Sequence, residues 1–476
     1  MKLKSLFKKH HILYIAFFVF VATILSVSTT SAVVDLFNIW GKMLYVLCSI
    51  VIAAIVACFM AFGVEETMSK HRGSIKNSLL VILIEMAFTL LSFFVCKADN
   101  LVFLTPPIFV CALLAILYGY KMAYVAAVCN VMIACYMSSA ENLVFAPIVL
   151  AICLMVSRMI TSTNERSTLS MMGVAGAIVS FAVSASVLFV FSDNRLGDWV
   201  SVLTTSGYMA INCFVSVMLI VGILPLFEKL SGVLTEFRAQ ELMNQNTPLM
   251  KRLISEAPGT YHHSVMVSNL AEAASDAVGA NTSLVRVAAM YHDIGKLKRP
   301  QYFVENQGGV NPHDQLDPFE SRDILFSHVS EGIDMARKYK LPMDVIEIIK
   351  SHHGDSTTTY FYYKALQDQY RGDNITENDF RYGFPRPVTK EAVIVMLADC
   401  VEAAVRAMTD KTAETLSNRI DDIINGKVND NQLSEADISI KELSIIGRKF
   451  KDVVGGYYHQ RAEYIKPAAQ LSTANE

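Results

Sequence analysis

Charge is what this sequence has little of. Only 18% of its 476 residues are Asp, Glu, Lys or Arg, against about a quarter in soluble domains. No basic run offers itself to nucleic acid and no acidic tail is present, so a nucleic-acid polymer is not an expected partner. The net charge of −3 points to no partner either. There is no Cys-x-x-Cys pair and no secreted-type cysteine spacing. Of nine cysteines, Cys48, Cys58, Cys96, Cys111, Cys129, Cys135, Cys153 and Cys213 fall in or beside apolar stretches, and only Cys400 lies in the polar half. They read as small buried hydrophobes.

What the chain has is apolar length. Hydrophobic residues make up 53% of it, with mean hydropathy +0.37, so much of it is expected in lipid. Its length exceeds one compact core and implies at least two domains. Up to about Phe227 the sequence is a series of apolar runs; beyond it, amphipathic helices. Eight candidate spans fall near 12–32, 43–63, 78–96, 101–119, 121–137, 142–159, 170–192 and 204–226. A span needs about 20 apolar residues, so the fifth and sixth are marginal. Pro106, Pro107, Pro147 and Pro225 lie in these runs, which membrane helices tolerate. The expected fold class is therefore all-α, a membrane bundle followed by a helical soluble domain. The expected division is an anchor over 1–32, a seven-span bundle over 43–227, a helical linker over 228–258, a soluble domain over 259–466 and a tail over 467–476.

Loop charges orient the bundle. Lys2, Lys4, Lys8 and Lys9 precede the first span; Lys70, Arg72 and Lys76 follow the second; Arg158 and Arg166 lie at the end of the sixth and just after it. The alternate links hold at most one basic residue each: Lys42, Lys97, none before Asn142, and Arg195. The positive-inside rule places the N-terminus in the cytoplasm, and eight crossings return the soluble domain there. Ser31-Ala32 would suit a signal-peptide end, but the run continues apolar through Val33-Val34, which favours an uncleaved anchor. Glu85 sits mid-span. It reads either as a functional carboxylate or as a bundle-facing Glu paired with Asn130 or Asn212. The linker, interrupted at Asn244–Pro248, reads as a signal-carrying connection or as a passive tether.

Seven of eleven histidines lie between 262 and 353. They stand in Tyr261-His262-His263-Ser264, Tyr291-His292-Asp293-Ile294-Gly295-Lys296, Ser327-His328-Val329 and Ser351-His352-His353-Gly354, apart from His313; Leu397-Ala398-Asp399-Cys400 adds a carboxylate. The pattern predicts amphipathic helices over 264–279 and 283–294, stopping at Gly279 and Gly295, and another from Pro342 to His353. Neighbouring residues inside a helix point about 100° apart, so adjacent ligands fit more easily at frayed ends. Neutral imidazoles and carboxylates bind first-row divalent metals. Five histidines and two aspartates exceed one tetrahedral site. They suit two ions with a bridging aspartate, which activate a water and stabilise the leaving oxygen in phosphoryl transfer.

The ordered set H…HD…H…HH…D resembles the HD superfamily of phosphohydrolases, and one branch more closely, the 7TM-HD receptors. That resemblance rests on Glu256–Ser264, on His292–Lys296 running into Lys298-Arg299-Pro300, on Glu305-Asn306-Gln307, and on Met396–Asp399 followed by Val401-Glu402-Ala403-Ala404. It implies one metal held by His263, His292, Asp293 and Asp399, and another by His328, His352 and His353, with Asp293 bridging. His263 is chosen because the histidine directly before Ser264 matches the family ligand, leaving His262 a supporting or structural residue. The resemblance implies manganese or iron, cyclic-di-AMP as substrate and linear pApA as product. Asp293 and Lys296 are the expected catalytic residues, with Lys296 in reach of a substrate phosphate; its plain alternative is a solvated lysine at a helix end.

Two departures stand out. Family members commonly carry a large extracytoplasmic domain after the first span, where this chain has only about ten residues, Val33–Lys42. Residues 354–390 only approximate the family pattern; Tyr360, Phe361, Tyr362 and Tyr363 there read as adenine-stacking groups or, more plainly, as a packing face plus exposed tyrosines. His10, His11, His71, His313 and His459 lack ligand spacing to the cluster. The leading expectation is a membrane-bound phosphodiesterase whose partners are a cyclic dinucleotide and the lipid bilayer, a homodimer being left open. The alternatives are an HD phosphohydrolase for another nucleotide, or a non-catalytic nucleotide-binding receptor; the filled ligand positions speak against the receptor.

Overall fold

The computed structural model describes residues 2–33, 39–68, 74–96, 101–137, 144–163, 165–191, 199–367 and 375–472. Among these the chain is helical, with one isolated bridge between Thr357 and Arg381. It divides into two compact units, Met1–Phe237 and Arg238–Glu476.

The first unit contains α1 (Lys2–Val33), α2 (Ile39–Met68), α3 (Ser74–Val95), α4 (Pro107–Tyr118), α5 (Tyr120–Met137), α6 (Phe145–Ile160), α7 (Arg166–Phe191) and α8 (Trp199–Ser231). Each predicted run contains an α-helix among the described residues. Five are long and apolar enough to cross a membrane; Ile12–Ser28, Pro107–Tyr118 and Ala146–Ile160 are shorter apolar helices. The expected span over 101–119 is the one most altered. Leu101–Leu104 is a 3-10 turn and α4 has only 12 residues, because Pro106-Pro107 bars a continuous helix and Pro107 takes its first position. Asn212 of α8 satisfies the irregular backbone, donating to the carbonyls of Phe103 at 2.8 Å and Thr105 at 2.6 Å. Irregular backbone survives at membrane depth only where protein covers it in this way.

With no water to expel between them, membrane helices associate through close packing, which small residues permit. On α7 the buried positions include Gly173, Gly176, Ser180 and Ser184, a stripe at helical spacing packed on α8. A Cβ on Gly173 would lie 2.9 Å from the Met218 side chain. Glu85 is fully buried, and neither of its carboxylate oxygens has a hydrogen bond among the described residues. Asn130 faces it from α5, whereas Asn212 is committed to the two carbonyls above. Of the orientation charges, Lys70, Arg72, Lys97 and Arg195 lie outside the described residues, as do the side chains of Lys2, Lys4, Lys8 and Lys9 and the link 34–38.

α9 (Glu236–Met243) spans the division between the units, and α10 (Pro248–Glu256) follows the interruption foreseen at Asn244–Pro248. The second unit continues with α11 (Pro258–Ala277), α12 (Thr282–Tyr291), α13 (Pro318–Lys338), α14 (Met343–Ser351), α15 (Thr359–Gln367), α16 (Lys390–Ala407), α17 (Ala413–Asn429) and α18 (Ile440–Ser472). α11 begins six residues before the expected 264, since Pro258 suits the first turn of a helix and does not break it. α12 ends at Tyr291, three residues earlier than expected. Side-chain caps fix several starts: Asn281 accepts from Leu284 N, Asp317 from Phe319 N and Thr389 from Ala392 N. α16 runs through the core, buried from Ala392 to Asp399 and again at Val401 and Val405. α11, α12, α14 and α18 pack against it.

Candidate metal centre

Four helices and one turn bring the predicted donors together. His263 comes from α11, His328 from α13, Asp399 from α16, and His352 and His353 from the end of α14. His292 caps α12 with helical φ and ψ, and Asp293 then leaves the helix at φ −105°, ψ 15°. Ile294–Lys298 continues as a 3-10 turn against α13. That approach depends on Gly295, where an added Cβ would collide with the His328 carbonyl and lie 2.6 Å from Gly332 N.

Two groups of four donors result. His263, His292, Asp293 and Asp399 form one; Asp293, His328, His352 and His353 form the other; within each, the ligand atoms lie within 4.8 Å of one another. Asp293 belongs to both. Its Oδ2 lies 3.2 Å from His292 Nε2 and 3.5 Å from His263 Nε2. Its Oδ1 lies 3.4 Å from His328 Nε2 and 3.8 Å from His352 Nε2.

The other ring nitrogens explain this orientation. His292 Nδ1 pairs with the Ala289 carbonyl and His352 Nδ1 with the Ile349 carbonyl, both at 2.7 Å, and His328 Nδ1 pairs with the Leu325 carbonyl. A carbonyl only accepts, so each Nδ1 carries a proton, which leaves each Nε2, facing Asp293, as the ring position open to a metal. Among the described residues, His292 Nε2, His328 Nε2, His352 Nε2 and Asp293 Oδ1 are buried with no hydrogen-bond partner. Buried polar atoms are ordinarily satisfied. Unsatisfied donor atoms gathered on both sides of the Asp293 carboxylate fit divalent metal binding, and the all-N/O set suits that class.

Charge follows the same plan. Burial, aided by the neighbouring His292, holds His352 down at about 3, and burial holds His328 at about 4, so both are neutral near pH 7. Burial opposes the charged forms of His292 and Asp293, but their mutual attraction prevails. Without a metal, His292 is pushed up to about 10 and is charged near pH 7, so a metal ion would have to displace its Nε2 proton; Asp293 is held well below the usual carboxylate range.

Three sets of contacts at the site went unforeseen. Glu402 hydrogen-bonds His263 Nδ1, orienting Nε2 toward Asp399 at 3.0 Å; its signal was a carboxylate three residues after Asp399, one helical turn along α16. Tyr382 stacks on His353 with ring centroids 4.5 Å apart, and nothing local in the sequence announces it. Lys296 is no solvated lysine: its Nζ lies 2.7 Å from Asp293 Oδ2 and 2.8 Å from Glu305 Oε1. His262 is exposed and meets Tyr261 edge-on, so a supporting role at the metal site has no geometric basis. His313 is buried between Tyr302 and Phe361. His71 and the side chains of His10, His11 and His459 lie outside the described residues. Tyr360 and Tyr363 are exposed and Phe361 is buried. Tyr362 and Tyr363 line a cavity of about 690 Å³ with Cys400, Arg419 and Lys427, and none of the seven donors lines it. Adenine stacking by these tyrosines beside the metals therefore has no support in the geometry.

Residues 44–235 match the family model for a 7TM receptor with intracellular HD hydrolase, and residues 260–404 match the HD domain. The chain is similar to the cyclic-di-AMP phosphodiesterase PgpH of Bacillus subtilis (strain 168), with 44% identity over 302 residues, 63% of this chain and 42% of that one. It is similar to the protein of the same name from Listeria monocytogenes serotype 1/2a (strain 10403S), with 37% identity over 422 residues, 87% of this chain and 58% of that one. The chain thus spans about half the length of these curated relatives. A crystal structure of the L. monocytogenes phosphodiesterase PgpH HD domain in complex with cyclic-di-AMP shares 46% identity, covering 45% of this chain and 98% of that one at a TM-score of 0.43. With its apolar helices and its matched domains, this multi-pass membrane protein belongs to the family of 7TM receptors with an intracellular HD hydrolase domain.

Proposed function

We propose that the chain is a membrane-bound, metal-dependent phosphodiesterase that hydrolyses cyclic-di-AMP to linear pApA. The observation that carries this reading is the shared carboxylate: Asp293 lies in both four-donor groups, with the unsatisfied Nε2 atoms around it. In this reading His263, His292, Asp293 and Asp399 hold one ion, and His328, His352 and His353 hold a second with Asp293 between them. Manganese and iron both suit such donors. When bound, a pair of ions supplies a nucleophilic water at neutral pH and neutralises charge on the phosphoryl oxygens.

The chain's own residues prepare the site. Burial keeps His328 and His352 neutral and able to donate lone pairs. Lys296 fixes the Asp293 carboxylate and is itself fixed by Glu305. That arrangement makes Lys296 a holder of Asp293 first and a phosphate contact second. The substrate is carried over from the named activity of the relatives. Basic residues in alternate links favour a cytoplasmic N-terminus and, after eight crossings, a cytoplasmic hydrolase domain over about 259–466, joined through 228–258. There a nucleotide messenger is accessible.

The test is turnover by the purified full-length protein in detergent, with Mn²⁺, against a panel of cyclic dinucleotides and mononucleotides. Cyclic-di-AMP should be cleaved fastest, to pApA. Faster cleavage of cyclic-di-GMP or of a mononucleotide would overturn the substrate. Undiminished hydrolysis in the double variant His292→Ala, Asp293→Ala would overturn the site.

A further inference from the structure

The turn carrying His352 and His353 is gripped from behind by polar groups with no part in the proposed reaction. α14 ends at Ser351, so the two histidines have no full helix to support them. Gly354 follows with φ +58°, a conformation that glycine adopts without steric cost. An added Cβ there would collide with the amide oxygen of Gln432. Gln432 is fully buried although polar. Its Oε1 accepts from Asp355 N at 3.2 Å, and its Nε2 donates to Asp355 Oδ1 at 2.7 Å and Asp430 Oδ2 at 2.9 Å.

Asp355 is held on its remaining sides. Arg386 closes a fork on its carboxylate, Nε to Oδ1 at 2.9 Å and Nη2 to Oδ2 at 3.0 Å. Arg381 donates to its backbone carbonyl at 3.0 Å, and its other terminal nitrogen reaches Asp430 at 2.8 Å. The N–H, the carbonyl and the carboxylate of one residue are thus all fixed, two positions after His353. The same strap positions Tyr382: its N–H donates to Ser356 O at 3.0 Å, and its ring lies on His353.

We propose that Gln432, Asp355 and Arg386 form a clamp that positions His352 and His353 for the metal they share with His328. None of the three touches the reacting atoms; each acts through the turn. The proposal rests on reading these histidines as metal ligands. It predicts selectivity, because His263, His292 and Asp399 stand on other elements and do not depend on the turn. A purely structural strap would lower stability without choosing between the two donor groups.

The test is Mn²⁺ titration of the metal-stripped full-length protein in detergent, by calorimetry, for wild type, Gln432→Leu and Arg386→Lys. Gln432→Leu keeps size and loses every side-chain hydrogen bond of Gln432. Arg386 is partly exposed, so Arg386→Lys removes the fork with little risk to folding. Loss of support behind a metal ligand weakens binding about 10–100-fold. At least one variant should lose affinity by that factor for one class of site while the other class holds its affinity. Wild-type binding in Arg386→Lys and in any folded Gln432→Leu would overturn the clamp. So would equal weakening of both classes in step with a lower metal-free melting temperature. A wild type that binds no divalent metal would instead overturn the ligand reading beneath it.

Discussion

Gly295→Ala adds one methyl group at the point where the turn after Asp293 crosses α13. The new Cβ would lie 2.6 Å from Gly332 N and would collide with the His328 carbonyl. Both obstacles are backbone, so no side chain can swing aside. Ordinary Cβ contacts begin at 3.4 Å, so the two segments must part by about 0.8 Å or more. One segment carries Asp293 and the other His328, whose Oδ1 and Nε2 lie 3.4 Å apart. Misplacement of about 1 Å in a reacting constellation costs about 100-fold in rate, and overpacking a tight site costs about 1–3 kcal/mol of stability. The expected result is a fall of about 100-fold in kcat/KM for cyclic-di-AMP, with less bound Mn²⁺ and a lower melting temperature. Gly426→Ala is the matched control: nothing lies within 4 Å of its added Cβ, and alanine inside a helix gains about 0.5–1 kcal/mol over glycine. Near-wild-type turnover and metal content in Gly295→Ala would refute the claim that this crossing sets the spacing of the donors.

Glu402→Gln should weaken the His263 group by about 10–100-fold in metal affinity, because a neutral amide holds the imidazole less firmly than a carboxylate; unchanged affinity in a metal titration would remove Glu402 from the site. Lys296→Met should lower the melting temperature of metal-free protein, since breaking a buried ion pair costs about 3–5 kcal/mol. Added Mn²⁺ should narrow that gap by supplying positive charge beside Asp293, and a gap that stays constant with metal would contradict this. Asn281→Ala should cost about 1 kcal/mol through loss of the α12 cap while leaving the metal affinity of the folded protein close to wild type; a measured change in affinity would show that α12's start, and not only its end, sets His292.

The membrane half was legible because lipid imposes a one-dimensional rule. Every backbone group must be satisfied within its own helix, so apolar length alone marks helices. The rule failed at 101–106, where Pro106-Pro107 made a span that is helical only from Pro107. The repair comes from Asn212, more than a hundred residues away. No window of local sequence carries that pairing. The buried Glu85 was visible as an anomaly for the same reason that its surroundings were not: composition marks a carboxylate in an apolar run, but only packing decides that Asn130 meets it and Asn212 does not.

At the metal centre the dividing line is equally physical. The pairs His292-Asp293 and His352-His353 were readable as candidate donors because adjacent donors converge more easily where a helix stops, and a glycine follows each pair closely. The structure adds a consequence of that placement. Near a helix C-terminus the carbonyls lack intrahelical partners, so those of Ala289 and Ile349 are open to Nδ1–H of His292 and His352. Ending the helix therefore spreads the two donors and also selects the tautomer that leaves Nε2 for a metal. His328 obtains the same tautomer inside α13 from the carbonyl three residues back. His263 does not use its own helix. Its Nδ1 is held by Glu402, 139 residues away, so its orientation belongs to the packing of α11 against α16. Of these four imidazoles, three are thus set by rules of local sequence and one by tertiary structure. That fourth imidazole is where the sequence named the candidate donor and did not show its support, Glu402.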